Sequence, residues 1–263
     1  MPDFHTVEID GLSFRCRLDG DDATAPWLVF SNSLGTDLTV WDGQVAALAG
    51  RFRILRYDQR GHGGTDVPDR PCSFARLGGD VAALLDRFGI ARCGFVGLSM
   101  GVPTGLDLAA RHPGRVERLV LCDGQAATAP GGAEQWAERI RQVRADGMAA
   151  FADATVARWF APAFVASGRA DKVRAMVAAT PADGLVACAA ALQGFDYADV
   201  LPTLRVPVLL VVGARDGALP ATMAAMRDRI PGAALVEIPD AGHIPNVEQP
   251  EAFNRALAGF LAR

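Results

Sequence analysis

The sequence predicts an α/β fold with an eight-stranded, mostly parallel sheet and helices on both of its faces. Short apolar runs recur along the chain, and stretches with helical spacing lie between them. The runs are nearly continuous rather than alternating, as expected of parallel strands that are covered on both faces. Strands that alternate with helices form right-handed crossovers, which generate such a sheet. The chain has 263 residues, of which 50% are apolar, enough for one large core.

The strands follow in order along the chain. HTVEIDG and LSFRCRLDG each alternate along their length, and their junction at Gly11 predicts an antiparallel edge. Six apolar runs predict the other strands, over residues 27–30, 52–57, 93–98, 118–122, 208–212 and 234–238. Between the fourth and fifth strands, apolar residues from Phe74 to Phe88 recur at steps of three and four, which predicts an amphipathic helix.

The interval 125–204 contains no convincing strand and has an Ala-rich helical pattern instead. Pro and Gly residues divide it into about four helices, and the Pro-Gly-Gly at 130–132 is the candidate hinge. An all-helical insertion between two strands is expected to lie over one edge of the sheet. We therefore predict a core formed by residues 1–124 and 205–263, and a four-helix lid over the interval between them.

Composition and charge argue against several classes of protein. The net charge of −4 argues against a nucleic-acid partner, which would need a basic surface. The longest apolar runs are far shorter than the roughly 20 residues of a membrane span, and no signal peptide is apparent. Five cysteines without a CxxC pair indicate buried, reduced thiols. We expect a cytoplasmic protein without a metal or a membrane contact, and its oligomeric state stays open.

The segment Gly97-Leu98-Ser99-Met100-Gly101 has the form G-x-S-x-G and lies between a predicted strand and a predicted helix. Glycines on both sides allow a sharp turn that projects the serine hydroxyl beyond the strand end. The bare pattern also matches ordinary Gly/Ser-rich turns, but the strand–turn–helix context predicts a nucleophile at Ser99.

A serine nucleophile needs a base, and the chain has four histidines. His5 falls in the first edge strand, His62 in a turn, and His112 at a helix C-terminus, where positive charge suits the helix dipole. His243 lies in a loop of small residues after the last predicted strand, from which its imidazole can reach across the strand ends. We therefore predict His243 as the base.

The base needs a carboxylate that fixes its tautomer. Asp216 stands just past the seventh predicted strand, at the same end of the sheet as Ser99 and His243. Asp123, at the end of the sixth strand, is the alternative acid, whereas Asp240 is too close to His243 along the chain to reach back easily. Asp216 is favoured, because it completes the chain order serine, aspartate, histidine.

With the chain order Ser99, Asp216, His243, the sequence resembles the α/β-hydrolases from end to end. The resemblance includes a lid between the sixth and seventh strands. Most members carry His-Gly-x-x-Gly after the third strand, where this chain has SNSLG over residues 31–35. The block SNSLGTDLTVWDGQVAALAGRFRILRYDQRGHGGTDVP resembles the 3-oxoadipate enol-lactonases, enzymes of aromatic catabolism in the β-ketoadipate pathway. GLSMG, AGHIPNVEQPEAF, and Trp136 with Arg139 in the lid extend this similarity.

The resemblance implies a serine hydrolase that opens a small carboxylate-bearing enol-lactone through an acyl-enzyme, without metal or cofactor. It also implies that the backbone N–H groups of Ser33 and Met100 form the oxyanion hole. The candidate substrate-binding residues lie in the lid and are Trp136, Arg139, Trp159 and Gln193. Arg139 is the candidate ligand of the carboxylate, although an exposed helix arginine fits the same pattern, and both tryptophans also fit the core of the lid.

Two positions depart from the lactonase pattern. Val102-Pro103 stands where small residues are usual, and Gln193 stands where the lactonases often carry an arginine. Val102 is expected to change the floor of the pocket, and the substrate anion must rely on Arg139 or another group. The alternatives within the fold are a general carboxylesterase and a C–C bond hydrolase or perhydrolase. An alternative of another class is a ligand-sensing α/β-hydrolase with little turnover.

Overall fold

The computed structural model describes residues 4–262, so the ends of the predicted core at 1–3 and 263 lie outside the described residues. Its strands are β1 (Phe4–Ile9), β2 (Leu12–Asp19), β3 (Trp27–Ser31), β4 (Arg53–Tyr57), β5 (Cys93–Leu98), β6 (Val116–Cys122), β7 (Val208–Gly213) and β8 (Ala234–Ile238). They form one sheet in the order β1-β2-β4-β3-β5-β6-β7-β8. Only β1–β2 and β2–β4 are antiparallel pairs. The eight-stranded, mostly parallel sheet and its antiparallel edge are therefore confirmed.

The helices are α1 (Asp42–Leu48), α2 (Phe74–Arg87), α3 (Gly101–Arg111), α4 (Gly132–Trp159), α5 (Pro162–Ala166), α6 (Asp171–Ala179), α7 (Ala182–Leu192), α8 (Leu219–Arg229), α9 (Pro245–Glu248) and α10 (Pro250–Leu261). The predicted amphipathic helix is α2, which begins at the N-cap Ser73. Within residues 4–262, no single helix is long and apolar enough to cross a membrane. The helices α6 and α7 reach that length only together, and they meet at 97°.

Alternate residues of the central strands face two separate cores. In β7, Leu209 and Val211 belong to the core that includes lid side chains and α10, whereas Leu210 and Val212 pack with α2, α3 and α8. Helices therefore cover both faces, which explains the continuous apolar runs. The edge strand β8 differs, because only Ile238 of its five residues is buried.

The lid between β6 and β7 is helical, apart from an isolated bridge between Ala127 and Asp196. The first lid helix, α4, is broken at Gly147, where φ is 78° and ψ is 175°. The lid rests on the loop after β4, because the backbones of Gly61 and Gly184 touch where any Cβ atom would overlap the other chain segment.

The five cysteines are buried and free, as the absence of a CxxC pair indicates. Cys72 and Cys188 meet where the lid contacts the core, with their Sγ atoms 3.6 Å apart. The N–H of Cys72 donates to the carbonyl of Ala187 at 2.8 Å, so α7 is also fastened to the core through the backbone.

The loops at the carboxyl ends of the parallel strands carry the candidate site residues. Ser33 follows β3, Ser99 follows β5, Asp123 follows β6, Asp216 follows β7 and His243 follows β8. In open α/β sheets these loops share one edge of the sheet. The topology therefore places five residues from distant parts of the chain at one end of the molecule.

Candidate active site

Ser99 occupies a strained turn between β5 and α3. Its φ of 54° lies in the left-handed region, which disfavours side chains by about 1–3 kcal/mol and persists only where the surroundings hold it. A Cβ on Gly101 would lie 2.7 Å from the Ser31 carbonyl, and a Cβ on Gly97 would overlap the Gly101 carbonyl. Both flanking positions therefore require glycine, which gives the G-x-S-x-G pattern its physical basis.

Ser99, His243 and Asp216 form one hydrogen-bonded row. The Ser99 Oγ lies 2.9 Å from His243 Nε2, and His243 Nδ1 lies 2.7 Å from Asp216 Oδ2. A carboxylate on Nδ1 stabilises the tautomer whose Nε2 is free to accept the hydroxyl proton. The arrangement can therefore remove a proton from the serine, as a nucleophile and its general base require.

The histidine loop is fastened to the end of lid helix α4. The N–H of His243 donates to the Trp159 carbonyl at 2.8 Å, and the two rings stack with centroids 5.3 Å apart. The buried carboxylate of Glu248 accepts from the N–H of Gly242 at 2.7 Å and from that of Ala161 at 2.9 Å. Trp159 is thereby held against the imidazole.

The other three histidines lie outside this row. His5 is exposed on β1, and His112 follows the last residue of α3. His62 is fully buried, and its Nδ1 lies 2.9 Å from the carbonyl of Arg60. Burial lowers the pKa of His62 to about 4, so its imidazole is neutral at physiological pH.

Of the three candidate acids, the structure brings Asp216 to the histidine. Asp240 forms an exposed ion pair with Arg215. Asp123 is fully buried, and its Oδ1 accepts from the N–H of Gly213 at 2.8 Å. Its side chain contacts that of Asp216 rather than the imidazole. Since Asp123 and Asp216 follow neighbouring strands, only the tertiary structure separates their roles.

The loop that carries Ser33 is fixed by buried hydrogen bonds. Asn32 donates to the carbonyl of Tyr57 at 3.0 Å and accepts from the indole N–H of Trp41 at 2.9 Å. The N–H of Thr36 donates to the carbonyl of Ser33 at 3.1 Å, which closes a tight turn. This network holds Ser33 at the cavity that Ser99 also lines.

The backbone N–H groups of Ser33 and Met100 meet the first requirement of oxyanion donors, because both are available. Among residues 4–262, neither group donates to another protein atom. Met100 directly precedes α3, so its N–H belongs to the positive end of the helix dipole. Such preorganised donors stabilise a developing oxyanion strongly in a site from which water is excluded.

The hydrogen-bonded row opens into a cavity of about 450 Å³, a size typical of small-molecule sites. The larger lid side chains that line it are mostly aromatic or basic and are Gln135, Trp136, Arg139, Phe151, Arg158, Trp159, Leu192 and Phe195. Gln125, Ala129 and Gly132 of the lid also line it. Three of the four predicted substrate-binding residues thus reach the cavity. The Arg139 guanidinium lies 4.4 Å from the centroid of the Trp136 ring, and burial lowers the pKa of Arg139.

Arg158 is a cavity residue to which nothing in the sequence points. Burial and the charge of Arg139 lower its pKa to about 10, and it donates to Thr155 Oγ1 at 3.1 Å. In a straight helix the two arginines would lie roughly 28 Å apart, so the break at Gly147 is needed to bring them to one cavity. Within the described residues, neither arginine forms an ion pair with a carboxylate.

Gln193 and Val102 do not line the cavity. Gln193 follows α7, and its amide donates to the Ala133 carbonyl at 3.5 Å. Val102 is fully buried against Gly124, where a Cβ would lie 2.5 Å from the valine Cγ2. Its side chain does not itself line the cavity, but Gly124, which it contacts, does, so an effect of Val102 on the pocket floor stays a prediction. Pro103, one position further along α3, lines the cavity instead.

Comparisons with known proteins agree with this architecture. Residues 26–250 match the alpha/beta hydrolase fold family. The 3-oxoadipate enol-lactonase 2 of Acinetobacter baylyi is 35% identical over 272 residues, covering 100% of this chain and 99% of that protein. The crystal structure of the enol-lactonase from Burkholderia xenovorans LB400 is 40% identical, with a TM-score of 0.93, over 98% of this chain and 100% of that chain.

A thermophilic esterase from Thermogutta terrifontis, solved with malate bound, is 29% identical with a TM-score of 0.89 over 98% of this chain and 97% of that chain. These full-length similarities extend beyond the fold to enzymes that hydrolyse esters or lactones. The chain therefore belongs to the alpha/beta hydrolase family, and it is a hydrolase that resembles the 3-oxoadipate enol-lactonases along its whole length.

Proposed function

We propose that the protein is a serine hydrolase that opens a small carboxylate-bearing lactone, of the kind represented by 3-oxoadipate enol-lactone. One observation carries this proposal: the row Ser99–His243–Asp216 opens into a small cavity that is also lined by two arginines, neither of which pairs with a carboxylate of residues 4–262. The names of the relatives support a lactone as the substrate class.

In the acylation step, Ser99 Oγ attacks the lactone carbonyl while His243 accepts its proton. Asp216 holds the imidazole in the required tautomer and stabilises the imidazolium that forms. The N–H groups of Ser33 and Met100 would receive the oxyanion of the tetrahedral intermediate. Loss of one such donor typically costs about 2.7–4 kcal/mol of transition-state stabilisation.

Collapse of the intermediate breaks the ring C–O bond and yields an acyl-enzyme. The enol oxygen that leaves stays tethered through the acyl chain, takes up the proton from His243 and tautomerises to a ketone. A water molecule, deprotonated by His243, then attacks the acyl carbonyl and releases Ser99. The product is a keto acid that carries one carboxylate more than the lactone.

The lid would supply the recognition of the anion. Burial lowers the pKa of both Arg139 and Arg158, and the charge of Arg139 lowers the pKa of Arg158 further. A bound carboxylate would relieve that repulsion with charge-assisted hydrogen bonds. Trp136, Trp159 and Phe151 would form apolar walls that exclude water. We therefore assign the lid region, residues 125–204, to substrate selection and the sheet loops to the chemistry.

The test is turnover of paired p-nitrophenyl esters by the purified protein. One ester of each pair derives from a short dicarboxylic acid and the other from the monocarboxylic acid of the same length. We expect a higher kcat/KM for the anionic ester, and loss of turnover in Ser99→Ala. Unchanged turnover in Ser99→Ala would contradict the assignment of Ser99 as the nucleophile.

The second candidate, a general carboxylesterase, is favoured by the likeness to the thermophilic esterase. It predicts equal kcat/KM for the two esters, or preference for the neutral one. A ligand-sensing protein would bind the anionic ester without turnover.

A further inference from the structure

Asp123 is a buried carboxyl group that the mechanism above does not use. It directly follows β6 with a φ of 44°, a left-handed conformation that is uncommon outside glycine. Its N–H donates to the carbonyl of Val211 at 3.0 Å, and its Oδ1 accepts from the N–H of Gly213 at 2.8 Å. Asp123 is therefore tied at both its backbone and its side chain to β7, the strand that precedes Asp216.

The carboxyl groups of Asp123 and Asp216 meet over Gly213. The carbonyl of Gly213 accepts a hydrogen bond from the N–H of Asp216 at 3.0 Å, and the N–H of Gly213 donates one to Oδ1 of Asp123. The two side chains are within hydrogen-bonding contact of each other. Among residues 4–262, the Asp123 Oδ2 finds no donor, although it is buried. A buried carboxylate oxygen without a donor is unfavourable, whereas a protonated oxygen facing an acceptor is satisfied.

The charges around Asp123 determine which of the two acids holds a proton. Two ionised carboxylates in contact in a buried site repel each other strongly, so one of them is neutral. Asp216 faces His243, which becomes positively charged during the reaction. The neighbouring Cys122 adds no positive charge. Asp123 also lines the cavity that Arg139 and Arg158 line, but neither arginine forms an ion pair with it within residues 4–262. Burial and the charge of Asp216 raise the pKa of Asp123 well above its usual range.

We propose that Asp123 is a positioning residue whose protonated carboxyl group donates a hydrogen bond to Asp216 and holds that carboxylate against His243. The Asp123 Oδ2 carries the proton, and Oδ1 remains the acceptor for Gly213. This inference rests on the proposed function, in which Asp216 is the acid of the row. It explains why two acids follow neighbouring strands although only one contacts the histidine.

The proposal predicts an alkaline loss of activity. While Asp123 is protonated, its bond to Asp216 is intact; as the pH rises through the raised pKa of Asp123, the proton leaves and repulsion replaces the bond. The asparagine of Asp123→Asn has nearly the same shape, donates through its amide N–H₂ and does not titrate. It should therefore keep the hydrogen bond and remove the alkaline loss.

The experiment measures kcat and KM for a neutral p-nitrophenyl ester from about pH 5 to pH 10, with Ser99→Ala as the background. We expect Asp123→Asn to keep a kcat within about threefold of wild type at neutral pH and to lack the alkaline fall of the wild type. Asp123→Leu, which removes the donor, should lose roughly tenfold or more in kcat with little change in KM. Asp240→Asn is the matched control, because Asp240 also has a left-handed backbone but lies outside the row.

Coincident alkaline profiles of wild type and Asp123→Asn, or full kcat in Asp123→Leu, would overturn the proposal. If Asp123→Leu does not fold, the profile of Asp123→Asn decides alone. An infrared difference spectrum gives an independent readout: the C=O band of a protonated carboxyl should be present in the wild type at neutral pH and absent in Asp123→Asn. Turnover that survives Ser99→Ala would instead refute the proposed function, so the two failures are distinguishable.

Discussion

The two regions that line the cavity are held in different ways. On the sheet side, glycine contacts and buried hydrogen bonds hold the backbone around Ser99 and Ser33. On the lid side, Arg139 and Arg158 come from one helix and meet because that helix breaks at Gly147. The candidate nucleophile and its neighbouring loop thus lie on backbone that close contacts and buried hydrogen bonds fix, while the charges proposed to select the substrate depend on how the lid helix bends.

The largest effect is expected on the sheet side, from Asp216→Asn. Removing the negative charge from His243 Nδ1 favours the wrong tautomer and leaves the imidazolium uncompensated, so kcat should fall by roughly 10⁴-fold. Steady-state kinetics on the paired esters would measure this fall. Asp123→Asn is the internal comparison, and an equal loss in both variants would mean that the two acids cannot be told apart by function.

A smaller but still large effect is expected from Gly101→Ala, because its Cβ would lie 2.7 Å from the Ser31 carbonyl. The turn at Ser99 must then shift, and since a misplacement of about 1 Å can cost roughly a hundredfold, we expect kcat to fall by up to about that factor. Gly43→Ala in α1 is the control, since a Cβ there meets no atom within 4 Å. If Gly101→Ala keeps full kcat, the turn is less constrained than these contacts imply.

The next effect concerns the loop on which the lid rests. Burial lowers the pKa of His62 to about 4 from an unfolded value of 6.5, so the unfolded chain binds a proton that the folded chain excludes. The contribution of His62 to the free energy of unfolding should therefore be constant above pH 6.5 and fall by about 3 kcal/mol as the pH decreases toward 4. The raised pKa values of Asp80, about 6, and of Asp123 act in the opposite direction, so the His62 contribution is the difference between the wild type and a His62 variant. Urea unfolding at several pH values would measure this.

His62→Gln should remove this contribution, so the difference in unfolding free energy between the wild type and the variant should change by about 3 kcal/mol between pH 6.5 and pH 4. His5→Gln, which changes an exposed residue of β1, should leave it intact. An unchanged slope in His62→Gln would assign the acid sensitivity to other groups.

The smallest effects are expected on the lid side. Arg139→Gln and Arg158→Gln should each raise KM for the anionic ester by roughly tenfold, since a charge-assisted hydrogen bond is lost, and leave KM for the neutral ester unchanged. Arg144→Gln, an exposed residue of the same helix that does not line the cavity, is the matched control. Equal changes in KM for both esters would contradict the assignment of the anion site to this pair.

The local pattern predicted most of the fold, because helices and strands have different apolar periods. The strands and the helical interval between β6 and β7 could be predicted in this way. Ser99 was predicted from the G-x-S-x-G motif and His243 by elimination among the four histidines, and the chain order typical of α/β-hydrolases favoured Asp216 over Asp123. The apolar pattern does not predict which neighbour a side chain contacts. The side chain of Val102 packs against Gly124, and that of Gln193 stays outside the cavity. A residue's place along a helix does not determine which neighbour it faces.

By itself, the sequence determined the α/β class, the strained serine turn and the strand ends that carry the candidate reacting groups. These follow from local spacing and from glycines that no other residue can replace. Only the tertiary structure decided which acid meets His243, that Asp123 lies against Asp216, and that Arg158 joins Arg139 at the cavity. These arrangements depend on the packing of neighbouring strand ends and on one break in a helix, and neither leaves a periodic signal along the chain.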